Sequence, residues 1–141
     1  MEKITIEKAT ESDWPYIQEK LKNYLLDANN ADWRQFFVAR LGERTVAFTR
    51  IIDRANCIEL ASMGVDYYHR KKGIGKTLLK FLIEEAKRQY PDKQIYGVTH
   101  RPGFLTPFGF KEIKDPPKVL EHKRQRNCTL DPSKIKIMRL E

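Results

Sequence analysis

Ile4 and Ile6 alternate with Thr5 and Glu7, so residues 3–8 are predicted to form a first strand. Ile17, Leu21, Leu25 and Leu26 then recur at helical spacing behind two candidate N-caps in Thr10-Glu11-Ser12-Asp13. Pro15 suits the first turn of that helix, where its missing N–H is not needed. Asp27-Ala28-Asn29-Asn30 stops it. Three strand-like runs follow, over residues 36–41, 45–52 and 58–65. They are broken by Gly42-Glu43-Arg44 and by Asp53-Arg54-Ala55-Asn56, links short enough to force antiparallel neighbours.

The period then changes. From Gly73 onward Ile74, Leu78, Phe81, Leu82 and Ala86 share one helical face, with Lys76, Lys80, Glu84, Lys87 and Arg88 on the other. Tyr90-Pro91-Asp92 ends this second helix. Residues 94–99 read as a strand, 104–109 as a short helical turn and 110–113 as a strand. The basic stretch after Lys114 reads as loop, and Ile135, Ile137 and Met138 mark a final strand. There is no repeat or low-complexity segment, so residues 1–141 are expected to be a single domain. The order predicts an α/β (α+β) fold: one mixed, mostly antiparallel sheet with helices on both faces.

Composition adds little to this picture and charge adds more. The chain is 40% hydrophobic and 33% charged, ordinary for a globular domain. No apolar run approaches the roughly 18 residues of a membrane span, and the first residues lack a signal-like apolar region. Cys57 and Cys128 form no CxxC or Cys/His cluster, so neither a disulfide framework nor a metal site is expected. A reducing, cytoplasmic setting follows as the expectation. The net charge of +8 permits an anionic partner. One basic cluster, His69-Arg70-Lys71-Lys72 with Lys76, surrounds two glycines. The other, His122-Lys123-Arg124-Gln125-Arg126, has no aromatic residue interleaved for base stacking, which makes nucleic acid the weaker partner. That second cluster is read as a solvated loop.

Arg70-Lys71-Lys72-Gly73-Ile74-Gly75-Lys76-Thr77 lies between a strand and a helix. A helix start leaves backbone N–H groups unpaired and carries about half a positive charge. Glycines there let a phosphate approach the main chain closely. A Walker A loop would need glycine at position 70, where the chain has Arg70, and a GxGxxG fingerprint would need it at Leu78. Neither fits.

Arg70-x-x-Gly73-x-Gly75, after a strand and opening an amphipathic helix, resembles the [Q/R]xxGx[G/A] motif of the GNAT superfamily of acyl-CoA-dependent N-acetyltransferases. Residues 9–13 are similar to the family's entry into its first helix, and Gly109-Phe110 resembles its "GF" signature. The resemblance implies acetyl-CoA or coenzyme A as cofactor. Met63, Gly64 and Val65 would pair with the pantetheine arm as with an added strand. Amides of Lys72, Gly73, Ile74, Gly75 and Lys76 would hold the pyrophosphate beside Lys71 and Arg70, with Thr77 adding a hydroxyl. Phe104, Pro107 and Phe108 would flank the thiol or adenine end, or pack in the core.

A primary ammonium has a pKa near 10.4, so reaching the free amine at neutral pH costs about 4.6 kcal/mol and calls for a base. Glu59 stands where some members of the family carry a strand-borne catalytic glutamate, and burial beside Ile58 and Leu60 would suit it to that role. His100, ending its strand, is the second candidate. The family's acid, a tyrosine four residues before the "GF" glycine, is replaced by Leu105. Tyr67, His100, Cys128, water, or unassisted departure of the thiolate remain to serve instead. The resemblance therefore implies an enzyme acetylating a small amine or amino acid by direct attack in a ternary complex. A catalytically weak acyl-CoA-binding module is the alternative that Leu105 raises, and a basic nucleic-acid-binding module is the third. The oligomeric state is left open, a homodimer included.

Overall fold

The computed structural model of the chain describes residues 3–126 and 131–141. In chain order the elements are β1 (Ile4–Lys8), α1 (Trp14–Asn23), β2 (Phe36–Leu41), β3 (Arg44–Asp53), β4 (Cys57–Val65), α2 (Ile74–Gln89), β5 (Gln94–Thr99), α3 (Pro102–Leu105), β6 (Phe110–Glu112), α4 (Lys118–Gln125) and β7 (Lys136–Leu140). Seven strands form one sheet in the order β1-β2-β3-β4-β5-β7-β6. β4 and β5 run parallel, while β1–β2, β2–β3, β5–β7 and β6–β7 are antiparallel. The sheet is thus mixed and mostly antiparallel, and the short Gly42-Glu43-Arg44 link does join antiparallel neighbours, β2 and β3.

The chain divides into two units, Met1–Ile51 with Ala61–Gln89, and Ile52–Leu60 with Tyr90–Glu141. In the first, the period-2 alternation of β2 sorts its side chains between two helices. Phe36 and Val38 pack with Phe48 against Ile17 and Leu21 of α1. Phe37 meets Phe81 of α2, and Ala39 packs with Ile74 and Leu78. Helices therefore cover both faces of these strands. In the second unit Leu120 of α4 is buried among Cys57, Tyr96 and Ile137.

Two expectations are corrected. The first helix ends at Asn23 and does not include Leu25 and Leu26. Leu25 takes a left-handed φ of 54°, while its amide reaches Lys22 O and that of Leu26 reaches Leu21 O, which is a Schellman termination. Leu25 is exposed instead of facing the core. The basic stretch is helix, not solvated loop: residues Lys118–Gln125 form α4 behind Pro117. Leu120 is its one fully buried residue, and the rest of this short helix is mostly polar and charged.

Candidate functional site

In the first unit, the connection from β4 to α2 carries features that suit an anion. Lys71 has a φ of 64° and Gly73 one of 81°, so the chain turns through two left-handed residues just before α2. A Cβ built on Gly73 meets nothing within 4 Å, so the space above this turn is open. The first helical amide with a carbonyl partner is that of Thr77, bonded to Gly73 O at 3.0 Å. Among the described residues, the amides of Gly73, Ile74, Gly75 and Lys76 meet no protein acceptor. Several convergent donors with a positive helix end behind them match a pyrophosphate. Ile74 turns its side chain into the core, which fixes the first turn, while Lys71, Lys72 and Lys76 are exposed. Thr77 commits its hydroxyl as donor to Gly73 O at 3.0 Å, so it tightens the turn and has no proton left for a ligand.

Arg70 is held rather than free to sweep. Its Nε donates to Val65 O at 2.9 Å, and its guanidinium lies 4.8 Å from the Tyr24 ring centre and 5.6 Å from that of Tyr67. No carboxylate pairs with it among the described residues. A clamped, uncompensated cation beside open amides is set for an anionic ligand. Tyr24 was not singled out from sequence; it closes a helix, and nothing local ties it to Arg70.

Met63 and Val65 pack toward Ile74 and Leu78, and Gly64 faces the other way. A Cβ on Gly64 would lie 2.4 Å from Phe48 Cζ, so only glycine lets β4 pass this ring. The three residues proposed to receive the pantetheine arm thus sit on a strand fixed from both faces.

In the second unit the carboxylate of Glu59 is fully buried. Oε1 accepts from Arg54 Nε at 3.1 Å and Nη2 at 2.8 Å, and Oε2 accepts from Lys123 of α4. Two cations occupy the group expected to take a proton from the acceptor. Arg54, across a tight turn five residues away, was recoverable from the sequence; Lys123, distant and in a supposed loop, was not. Cys57, one alternation earlier, is a buried free thiol pushed up by burial and then by the Glu59 charge. His100 is exposed at the end of β5. Leu105 is buried and packs on Gly97, where an added Cβ would come within 2.8 Å of its Cδ1, so this position has a core role. Phe104 and Phe108 are half-buried, ring centres 6.4 Å apart, and are not core residues. Pro107 and Tyr67 are exposed. Cys128 lies outside the described residues. No group of acidic, histidine or cysteine residues suited to a metal occurs among the described residues, and no helix there is long and apolar enough to cross a membrane.

The geometry agrees with comparison to known proteins. The acetyltransferase (GNAT) family model matches residues 4–99, and the chain belongs to that family. A search of curated proteins found no match. Among solved structures, N-acetylglutamate synthase from Neisseria gonorrhoeae, complexed with coenzyme A and N-acetyl-glutamate, is similar with a TM-score of 0.76 at 17% identity. The alignment covers 100% of this chain and 36% of that one, so this chain spans about a third of the synthase's length. Rv2747 from Mycobacterium tuberculosis, in complex with CoA, gives a TM-score of 0.74 at 19% identity over 96% of this chain and 98% of that one. The ribosomal-protein-S18-alanine N-acetyltransferase from Escherichia coli gives 0.70 at 19% identity, over 98% and 93%. At these identities the structural likeness establishes the fold, which is that of acyl-CoA N-acyltransferases.

Proposed function

We propose that this chain binds acetyl-CoA and transfers its acetyl group to the primary amine of a small acceptor, an amine or amino acid, by direct attack in a ternary complex. The observation that carries the reading is the row of unpartnered amides from Gly73 to Lys76 at the start of α2, with the clamped, unpaired Arg70 beside it. Membership of the acetyltransferase family supplies the reaction class. Coenzyme A in the similar synthase and in Rv2747 supports the choice of cofactor. When bound, the cofactor supplies an acyl thioester with a good leaving group.

Each residue then has a task. Lys72 to Lys76 hold the pyrophosphate through main-chain donors, and Lys71, Lys72 and Lys76 add charge around it. Arg70 orients beside them. Met63 and Val65 offer their main-chain groups to the arm, and Phe104 and Phe108, both half-buried, remain the aromatic residues proposed for the cofactor. His100 is the exposed candidate for taking the ammonium proton, directly or through water. Glu59 is retained as the second candidate, in a weaker position because Arg54 and Lys123 already saturate its oxygens. With Leu105 in place of the family's tyrosine, the thiol's ordinary pKa near 8.5 makes unassisted departure of the thiolate acceptable.

The test is turnover. Purified protein with acetyl-CoA should release free thiol with at least one member of a panel of polyamines, amino acids and short peptides. Binding of coenzyme A with no release for any of them would favour the second reading, a catalytically weak acyl-CoA-binding module, which the Leu105 position supports.

A further inference from the structure

Arg50, in the middle of β3, is the largest fully buried side chain among the described residues. A buried guanidinium is tolerated only where its donors are met. Here Nε donates to Ser62 Oγ at 2.9 Å, Nη1 to Gln35 Oε1 at 3.0 Å and Nη2 to the main-chain oxygen of Asp27 at 3.1 Å. Both Nη atoms also reach Asn29 O at 3.4 Å, and the Asp27 carboxylate lies 3.3 Å from Nη2. The Phe36 ring lies 5.7 Å from the guanidinium carbon. Every acceptor named comes from the α1–β2 connection, residues 27–35, or from Ser62 of β4.

Ser62 is itself unusual. Its φ of 57° places a non-glycine residue of a strand in the left-handed region, a conformation that persists only where the surroundings impose it. Its hydroxyl accepts from Arg50 and donates to Asp27 O at 2.7 Å, so the distorted point of β4 and the connection are joined through one buried charge. Ser62 directly precedes Met63–Val65. An arm that starts from the phosphate loop and runs back along Val65, Gly64 and Met63 brings its reactive end to Ser62. The strand rises about 3.3 Å per residue, so this is roughly 13 Å from Asp66. The main chain of Asp27 to Asn29 stands at that end.

We infer that Arg50 is a positioning residue for the acceptor: it locks the 27–35 connection beside the reactive end of β4, so that this connection is the fixed wall against which the amine is selected. The inference rests on the cofactor assignment above. The lock acts through geometry alone, since Arg50 is sealed from solvent. Lysine would keep the charge and lose the planar fork that spans both elements.

The experiment uses Ser62→Ala, which removes the hydroxyl and leaves Arg50 its remaining partners, with Arg50→Lys as the stronger variant. Four quantities are measured: coenzyme A affinity, kcat and KM for the best amine, and amide hydrogen exchange across residues 28–35. In Ser62→Ala we expect coenzyme A affinity near wild type, faster exchange in 28–35, and kcat/KM for the amine lower by about 10-fold or more, mainly through KM. Arg50→Lys should move all of these further in the same direction. Unchanged exchange in 28–35, or unchanged amine KM with intact cofactor binding, overturns the inference. A parallel fall in coenzyme A affinity and kcat/KM also overturns it, because general loosening would then explain both. If wild-type protein binds no coenzyme A, the functional reading fails instead, while the exchange measurement still reports on the lock.

Discussion

Lys123 of α4 donates a hydrogen bond to the fully buried carboxylate of Glu59 on β4, a partner 64 residues earlier that Arg54 holds from the other oxygen. A basic residue from a segment that looks like solvated loop thereby becomes a partner of a core charge. Removing one member of such a pair strands the other, whereas removing both is tolerated far better.

Lys123→Ala should therefore destabilise the protein by about 2–4 kcal/mol, and Glu59→Gln by a similar amount. Glu59→Gln combined with Lys123→Met should cost less than the sum of the single changes, the mark of direct coupling in a double-mutant cycle. Urea unfolding of the four proteins measures this. Additive losses would mean that the two side chains do not share an interaction.

Because Arg54 and Lys123 occupy the Glu59 carboxylate, His100 is the group proposed to take the acceptor's proton. His100→Ala should lower kcat at neutral pH by about 100-fold, and the loss should shrink as pH approaches the acceptor's own pKa, where free amine no longer needs a base. Glu59→Gln, assayed where it remains folded, should lose less. A larger and pH-rescued loss in Glu59→Gln would return the role to Glu59, and the pH–rate profiles of both variants distinguish the cases.

A second ion pair sets an acid limit on the fold. Arg40 donates from Nη1 and Nη2 to the two oxygens of Asp13, each at 3.0 Å. Burial pushes the Asp13 carboxyl up, but the Arg40 hydrogen bonds, the Thr10 amide and the Arg40 charge together outweigh it and hold the group below its usual 3.8. An acid with a depressed folded pKa stabilises fully above its unfolded value and loses that contribution as pH falls through the folded one. Asp13→Asn should thus cost about 1–3 kcal/mol at neutral pH. The gap to wild type should close as the medium is acidified past 3.8 and on through the lower folded value. Thermal melts across an acid series test it; a gap constant with pH would show that the carboxylate charge is not what matters.

How much of this was legible beforehand follows the physics of each element. α2 was readable because it carries a 3.6 period over enough residues to bury a full face, and β2 and β5 because each is a short, mostly apolar run bounded by breaks. The phosphate loop was readable because its glycines and the helix start are adjacent in sequence. α4 was not, since Leu120 is its one fully buried anchor and its Pro116-Pro117 approach reads as coil. Arg50 was hidden for the opposite reason: it sits inside the run Val46 to Ile52, and its partners Asp27, Gln35 and Ser62 are scattered over long separations. Buried charge is a tertiary property, and no local pattern announces it.

The central claim is that the amides at the start of α2 hold the phosphates of coenzyme A. Gly75→Glu places a side chain and a negative charge there without the left-handed strain that substitution at Gly73 would add. Lys80→Ala with Lys87→Ala is the control, removing two exposed charges of the same helix beyond the loop. Calorimetric titration with coenzyme A, paired with thermal melts, measures all three proteins. The account predicts binding by wild type and by the control, with stabilisation of about 2.7 kcal/mol at a hundredfold excess over Kd, and none by Gly75→Glu, which still folds. Coenzyme A binding that survives Gly75→Glu, or that falls equally in the control, would contradict it.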